Sequence, residues 1–130
     1  MVDAAELAGR ARECLGAAEM LAGRFPLQSM EMMARAVETA LRACCKADCI
    51  NFDAGDDPCL MARFVPEEAW AGASRQSVLQ VMESCAAWAR HGRADGDFRV
   101  ALESDMETAG SFLDGMDEWL EGRRRLPAAA

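Results

Sequence analysis

The sequence has little of the material from which β-sheets are built. Aromatic residues make up 6% of its 130 residues, and tyrosine is absent. β-Branched residues are also few, and strands are enriched in both of these classes. Alanine dominates the apolar residues, which are 52% of the chain. This composition predicts an all-α protein with closely packed helices, and the length is typical of one domain.

Long apolar runs are missing as well. No stretch approaches the roughly 20 apolar residues that a membrane-spanning helix needs. The first residues lack the basic start and apolar stretch of a secretory signal peptide. We therefore expect no membrane insertion and a cytoplasmic protein.

Positive charge is in deficit, since the formal net charge is −8. DNA, RNA and anionic membrane surfaces are unfavourable partners for such a chain, because phosphate binding needs a clustered positive surface. Two local basic groups remain, one formed by Arg90, Arg93 and Arg99 and the other by residues 123–125. The second group is interpreted as a solvated helix end, or as a contact to a phosphate or a partner.

Six cysteines are present, but no Cys-x-x-Cys pair is. Most of them fall on the apolar faces of predicted helices, where a free thiol behaves as a small hydrophobe. The alternative is a metal site made from Cys45 and Cys49, with Cys59 or His91 added. The spacing favours reduced, structural cysteines, so we predict neither a metal nor a cofactor.

Four segments carry apolar residues at the three- and four-residue steps of an amphipathic helix. The clearest stripe consists of Met30, Met33, Val37, Leu41, Cys44 and Cys45. The predicted helices cover residues 3–23, 27–50, 66–91 and 97–121. The start of the second helix stays open between Pro26 in its first turn and Ser29 as its cap.

Other residues mark where the helices begin and end. Asp3 and Asp97 are predicted N-caps, and Gly122 is the predicted end of the fourth helix. Gly72 can kink or split the third helix, with a restart at Ser74. The predicted fold is an antiparallel up-and-down four-helix bundle over residues 1–125, with a short extra helix between helices two and three, and a frayed tail at 126–130.

The sequence resembles the HEPN domain, a helical bundle related to nucleotidyltransferase substrate-binding domains. The resemblance covers most of the chain, from Leu7 to Leu120, and is best in segment 34–43, ARAVETALRA. The family's second helix has a similar Ala- and Glu-containing core ending in Ala-Leu-Lys-Ala, and Arg42 replaces that lysine here. In ribonucleases of the family, four to six residues separate an arginine from the histidine that follows it. His91 is the only histidine, and residues 84–86 contain no arginine.

The resemblance implies a non-catalytic binding or assembly module that forms a homodimer or pairs with a protein such as a nucleotidyltransferase. It also implies a small nucleotide as a further ligand, whose phosphates would meet Arg42, Lys46, Arg90 and Arg93. Three large apolar residues lie off the main stripes and are predicted to face a partner: Phe25, Met32 and Trp70. The alternative is a divergent, toxin-like HEPN ribonuclease that uses His91.

Overall fold

A computed structural model describes residues 2–70, 73–91 and 96–125, and the side chains of all of these except His91 and Arg125. The described residues form helices, turns and loops, and none of them lies in a strand. The all-α prediction is therefore confirmed. The helices are α1 (Ala4–Leu21), α2 (Pro26–Ala47), α3 (Pro58–Arg63), α4 (Glu67–Trp70), α5 (Arg75–His91) and α6 (Gly96–Arg125).

The first two helices begin where local chemistry favours a helix start. Asp3 caps α1, because its carboxylate accepts a hydrogen bond from the Glu6 N–H at 2.8 Å. Pro26 occupies the first turn of α2, which settles the start of that helix. Ser29 is therefore not a cap. It is fully buried inside α2, and its hydroxyl donates to the Ala18 carbonyl oxygen of α1 at 2.5 Å.

Small side chains line the contact between α1 and α2. Ala11 and Ala18 of α1, and Ala36 and Ala40 of α2, are all 0% exposed. Alanine at these positions allows the two helix backbones to approach closely while leaving little empty space. The short connection at residues 22–25 makes the pair an antiparallel hairpin.

The predicted third helix is divided into α4 and α5. Ser74 restarts the helix as predicted, since its hydroxyl accepts a hydrogen bond from the Ser77 N–H at 3.1 Å. Gly72, the expected break, lies outside the described residues. The predicted short extra helix is confirmed as α3, which Asp57 caps by accepting from the Cys59 N–H at 3.0 Å.

Helix α6 is longer than its sequence signals predict. Asp97 lies within its first turn, and Gly122 lies inside the helix rather than at its end. Arg123 holds the last turn in place: its guanidinium donates to Asp48 at 2.7 Å and lies 4.7 Å from the centroid of the Trp119 ring. These tertiary contacts outweigh the weak tendency of one glycine to end a helix.

Contacts between α6 and the other helices give their relative directions. The end of α6 meets the end of α2 through Arg123 and Asp48. The start of α6 meets the end of α5, where Trp88 and Phe98 pack edge to face with ring centroids 5.1 Å apart. Since α1 and α2 form a hairpin, the long helices α1, α2, α5 and α6 alternate in direction. This arrangement is compatible with an up-and-down four-helix bundle.

An ion-paired arginine joins the middle of α1 to the second half of α6. Arg12 binds Asp114, and its Nε donates to Asp117 at 2.6 Å. We expect Arg12→Met, which keeps the apolar part of the side chain, to lower the free energy of unfolding by about 1 kcal/mol, because exposed ion pairs contribute roughly 0.2–1 kcal/mol each. Urea unfolding at low salt measures this loss.

Two comparisons separate this electrostatic effect from a packing effect. The loss caused by Arg12→Met should shrink in about 1 M NaCl, where exposed charges are screened. Arg10→Met, at an exposed position of the same helix, should change stability by less than about 0.5 kcal/mol. Equal effects of the two substitutions would contradict the assignment.

Candidate functional site

A groove with a volume of about 860 Å³ lies between the C-terminal end of α1 and the first two-thirds of α6. We call it the α1–α6 groove. Its apolar surface includes Ala22, the residue after α1, and Leu102 and Met106 of α6. Leu102 is 5% exposed and Met106 is partly buried, so both also belong to the packing around the core. The groove thus offers an apolar floor between two antiparallel helices.

Carboxylates surround this floor. Among the described residues that line the groove, four are acidic and one, Arg99, is basic; the acidic ones are Glu19, Glu103, Glu107 and Asp114. Asp114 is bound to Arg12, which it shares with Asp117, so its charge is partly compensated within the chain. The groove is therefore apolar at its floor and strongly acidic at its edges.

Large apolar side chains are exposed at the same end of the protein. Met20, beside Glu19 in α1, is 87% exposed, and Val100, beside Arg99 in α6, is 70% exposed. Phe25, the residue before α2, is 50% exposed. We call these three residues the apolar rim. Their exposure is typical of a surface that another molecule covers.

The three residues predicted to face a partner have different environments. Phe25 is exposed as expected. Met32 is partly buried and packs against the core. The expectation that Trp70 is exposed is wrong: Trp70 is 3% exposed and stacks on Phe112, with ring centroids 5.3 Å apart. It lies off the stripe of α5 because it belongs to the separate helix α4, which packs against α6.

The residues predicted to bind phosphate are not brought together. Lys46 lies at the end of α2, where its ammonium donates to Asn51, and Arg123 of α6 reaches the same end. Arg90 lies instead near the end of α5, two residues after Trp88, whose ring packs against Phe98. Phe98 and Arg123 are separated by about 38 Å along α6, at 1.5 Å per residue. One phosphate therefore cannot contact both Lys46 and Arg90.

The other two members of the predicted phosphate set add no support for it. Arg93 lies outside the described residues. Arg42 is partly buried, and its Nε is buried without a hydrogen-bond partner. Glu38, one turn before Arg42, accepts a hydrogen bond from the Gly55 N–H at 2.8 Å and so anchors the acidic loop after α2.

The buried cysteines are held as neutral thiols. Cys44, Cys45 and Cys85 belong to the core, as the apolar pattern predicts. Burial raises the pKa of Cys45 to about 11 and that of Cys85 to about 12, and it raises the pKa of Cys44 further still. The Cys45 thiol also donates to the Met61 carbonyl oxygen at 3.3 Å. Such thiols are poor nucleophiles, because the thiolate is the reactive form.

The remaining cysteines show no common site. Cys49 and Cys59 are exposed, whereas Cys14 is partly buried and packs against the core. Four of the six thiols therefore lie in apolar surroundings, in line with the prediction for most of them. All six thiols are free of disulfides. Within the described ranges, no three His, Cys, Asp or Glu side chains converge as metal ligands would.

Two further expectations meet the limits of the described structure. His91 is the last residue of α5, but its side chain lies outside the described part, so the ribonuclease alternative gains no geometric support. The predicted tail, 126–130, also lies outside it. Across the helices that are described, none combines the length and the apolar character needed to cross a bilayer.

Comparison of the chain with protein-family models, with curated proteins and with solved structures finds no match in any of the three.

Proposed function

We propose that this chain is a non-catalytic association module, folded as a HEPN-like four-helix bundle, that works by binding another protein chain. The partner is either a second copy or a different protein, such as a nucleotidyltransferase. The observation that carries the proposal is the apolar rim, a set of three large exposed apolar side chains at the end of the protein where the α1–α6 groove begins. Two of them, Met20 and Val100, directly follow residues that line the groove. The HEPN assignment rests on the sequence resemblance.

Covering the apolar rim would remove large apolar side chains from water. Burying one large apolar side chain contributes roughly 1.5–3 kcal/mol, and Met20 and Val100 remain mostly in contact with solvent. Such residues cluster at protein–protein contacts rather than being spread over the surface. A groove beside them supplies the concave surface that a complementary chain requires.

The nearby chemistry favours binding over catalysis. The acids of the groove provide charge at its edges, and the buried thiols are kept protonated. Lys46 and Arg90, two of the residues predicted to hold a nucleotide, lie at opposite ends of the helices, so a nucleotide is not included in the proposal. The ribonuclease alternative rests on His91 alone.

Sedimentation across a wide concentration range, with reductant present, tests the proposal. We expect the wild-type chain to self-associate or, if it stays monomeric, to capture a specific protein from its native lysate. A double substitution, Met20→Glu with Val100→Glu, should weaken either association at least tenfold, about 1.4 kcal/mol. Burial of charge in an apolar contact is the physical reason.

Leu60→Glu provides the matched control. Leu60 is also exposed, at 43%, but lies on α3, so this change should leave the association within about twofold, since substitutions outside a contact change little. A wild-type monomer that captures no protein would overturn the proposal. So would an association that the double substitution leaves unchanged.

A further inference from the structure

We propose that the α1–α6 groove binds a basic amphipathic helix of a different protein, an inference that rests on the proposed association function and names its partner class. The apolar face of that helix would cover Leu102 and Met106. Its lysines or arginines would lie beside Glu19, Glu103 and Glu107.

The length of the groove fits a helix of moderate size. Its lining residues on α6 extend from Arg99 to Asp114, which is about 22 Å at 1.5 Å per residue. A partner helix of about 15 residues, or four turns, spans the same distance. An apolar floor between two helices is the surface that helix-in-groove recognition uses.

The charge of the groove selects a basic partner. Asp114 is paired with Arg12, whereas Glu19, Glu103 and Glu107 take part in none of the ion pairs formed among the described residues. Glu103 and Glu107 are one helical turn apart, so they present two negative charges in a row. Cations spaced by one turn on a partner helix would meet both.

The same charges disfavour a second copy in this groove. The chain carries a net charge of −8, and a twofold contact through the groove would bring carboxylates of one copy close to those of the other. Like charges at an interface oppose association and select against wrong partners. We therefore assign the groove to a different, basic chain.

Gly110 leaves room for close approach. A Cβ atom built on Gly110 would have no atom within 4 Å apart from its immediate surroundings in the helix, and Gly110 lines the groove. A partner helix can therefore pack directly against the α6 backbone there. The same open space means that Gly110→Phe can obstruct the groove without a clash at the Cβ position.

The test uses a designed probe, because the natural partner is not identified. It is a fluorescent peptide of about 16 residues, with leucines at helical three- and four-residue spacing and lysines elsewhere. One control peptide has the same composition with the leucines scrambled, which destroys the apolar face. A second replaces every lysine by glutamate. Fluorescence anisotropy at about 50 mM and about 500 mM salt reports binding under weak and strong screening.

We expect the amphipathic lysine peptide to bind at least tenfold more tightly than either control peptide, with affinity falling as salt rises. Glu103→Lys with Glu107→Lys should weaken binding about tenfold, because two attractions of about 0.3–0.5 kcal/mol become two repulsions. Gly110→Phe should weaken it similarly. Glu31→Lys with Glu83→Lys changes the net charge equally at exposed positions outside the groove and should have less than a threefold effect.

Circular dichroism of each variant verifies that its helices are retained. The inference is overturned if the scrambled lysine peptide binds as tightly as the amphipathic one, because net charge alone would then explain binding. It is also overturned if the control pair weakens binding as much as the groove pair. These outcomes leave the sedimentation result untouched, so failure of the inference is distinguishable from failure of the proposed association function.

Discussion

Raising the pH from 9 to 11 is expected to lower the free energy of unfolding by roughly 4–8 kcal/mol, because three core thiols resist ionisation in the folded protein. The reference pKa of an unperturbed cysteine thiol is 9.0. Burial raises the pKa of Cys45 to about 11 and of Cys85 to about 12, with Cys44 raised further. Each such group contributes up to about 1.4 kcal/mol per pH unit.

The sign follows from where the protons are. Above pH 9 the three cysteines of the unfolded chain lose their protons, whereas those of the folded chain keep them. The unfolded state then binds fewer protons, so stability falls as pH rises. The stabilising contribution is complete below pH 9 and is lost as the pH approaches the folded-state pKa values. The sequence has no tyrosine and a single lysine, so few other groups titrate in this range.

Urea unfolding at pH 8, 9, 10 and 11, with a phosphine reductant, measures the slope. Cys85→Ala should reduce the fall in stability by about 1.4 kcal/mol per pH unit, since one of the three groups is gone. Cys59→Ala removes an exposed thiol and should leave the slope unchanged. A stability that stays flat from pH 9 to 11 would contradict the prediction.

Local signals in the sequence account for most helix positions. The apolar steps of three and four identify the helices, and Asp3, Pro26 and Ser74 begin helices in the structure. These signals act within one turn of the chain, so they can be read without knowledge of the fold. Gly122 does not end α6 as predicted, because Arg123 pairs with Asp48, a residue distant in the sequence, and this contact stabilises the helix beyond the glycine.

The candidate site could be predicted only in part, because periodicity tells which face of a helix a residue occupies but not its distance from residues on other helices. Lys46 and Arg90 are both basic and exposed enough to attract a phosphate, yet they lie at different ends of the helices. The acidic pair at Glu103 and Glu107 was readable from its four-residue spacing. That this pair forms one side of an acidic groove depends on the position of α1, which places Glu19 on the other side.

Trp70 shows the other limit of sequence reasoning. Its position off the apolar stripe of the predicted third helix predicts an exposed side chain. In the structure, Trp70 belongs to the separate helix α4, which packs it against Phe112 of α6. A four-residue helix is too short to show a period. The buried face of α4 can therefore be identified only from the structure.

Phe112→Ala is expected to lower the free energy of unfolding by about 3–5 kcal/mol, the usual range for removing a fully buried phenylalanine. Phe112 is 0% exposed and stacks on Trp70, with an interplanar angle of 26°. The substitution opens a cavity in the core and removes the ring against which α4 packs. The melting temperature should fall by roughly 10–20 °C for a domain of this size.

Phe64→Ala is the matched control for this change. Phe64 is 46% exposed, and its ring is tilted against Phe52 with centroids 5.9 Å apart, so the same substitution should cost about 1 kcal/mol. If Phe112→Ala does not fold, Phe112→Leu keeps most of the volume and should still cost about 1–2 kcal/mol. Thermal unfolding followed by circular dichroism and tryptophan fluorescence compares the variants. Equal losses at the two positions would contradict the prediction, because the exposed ring would then stabilise the protein as much as the buried one. In that case Phe112 would not be what holds α4 in the core.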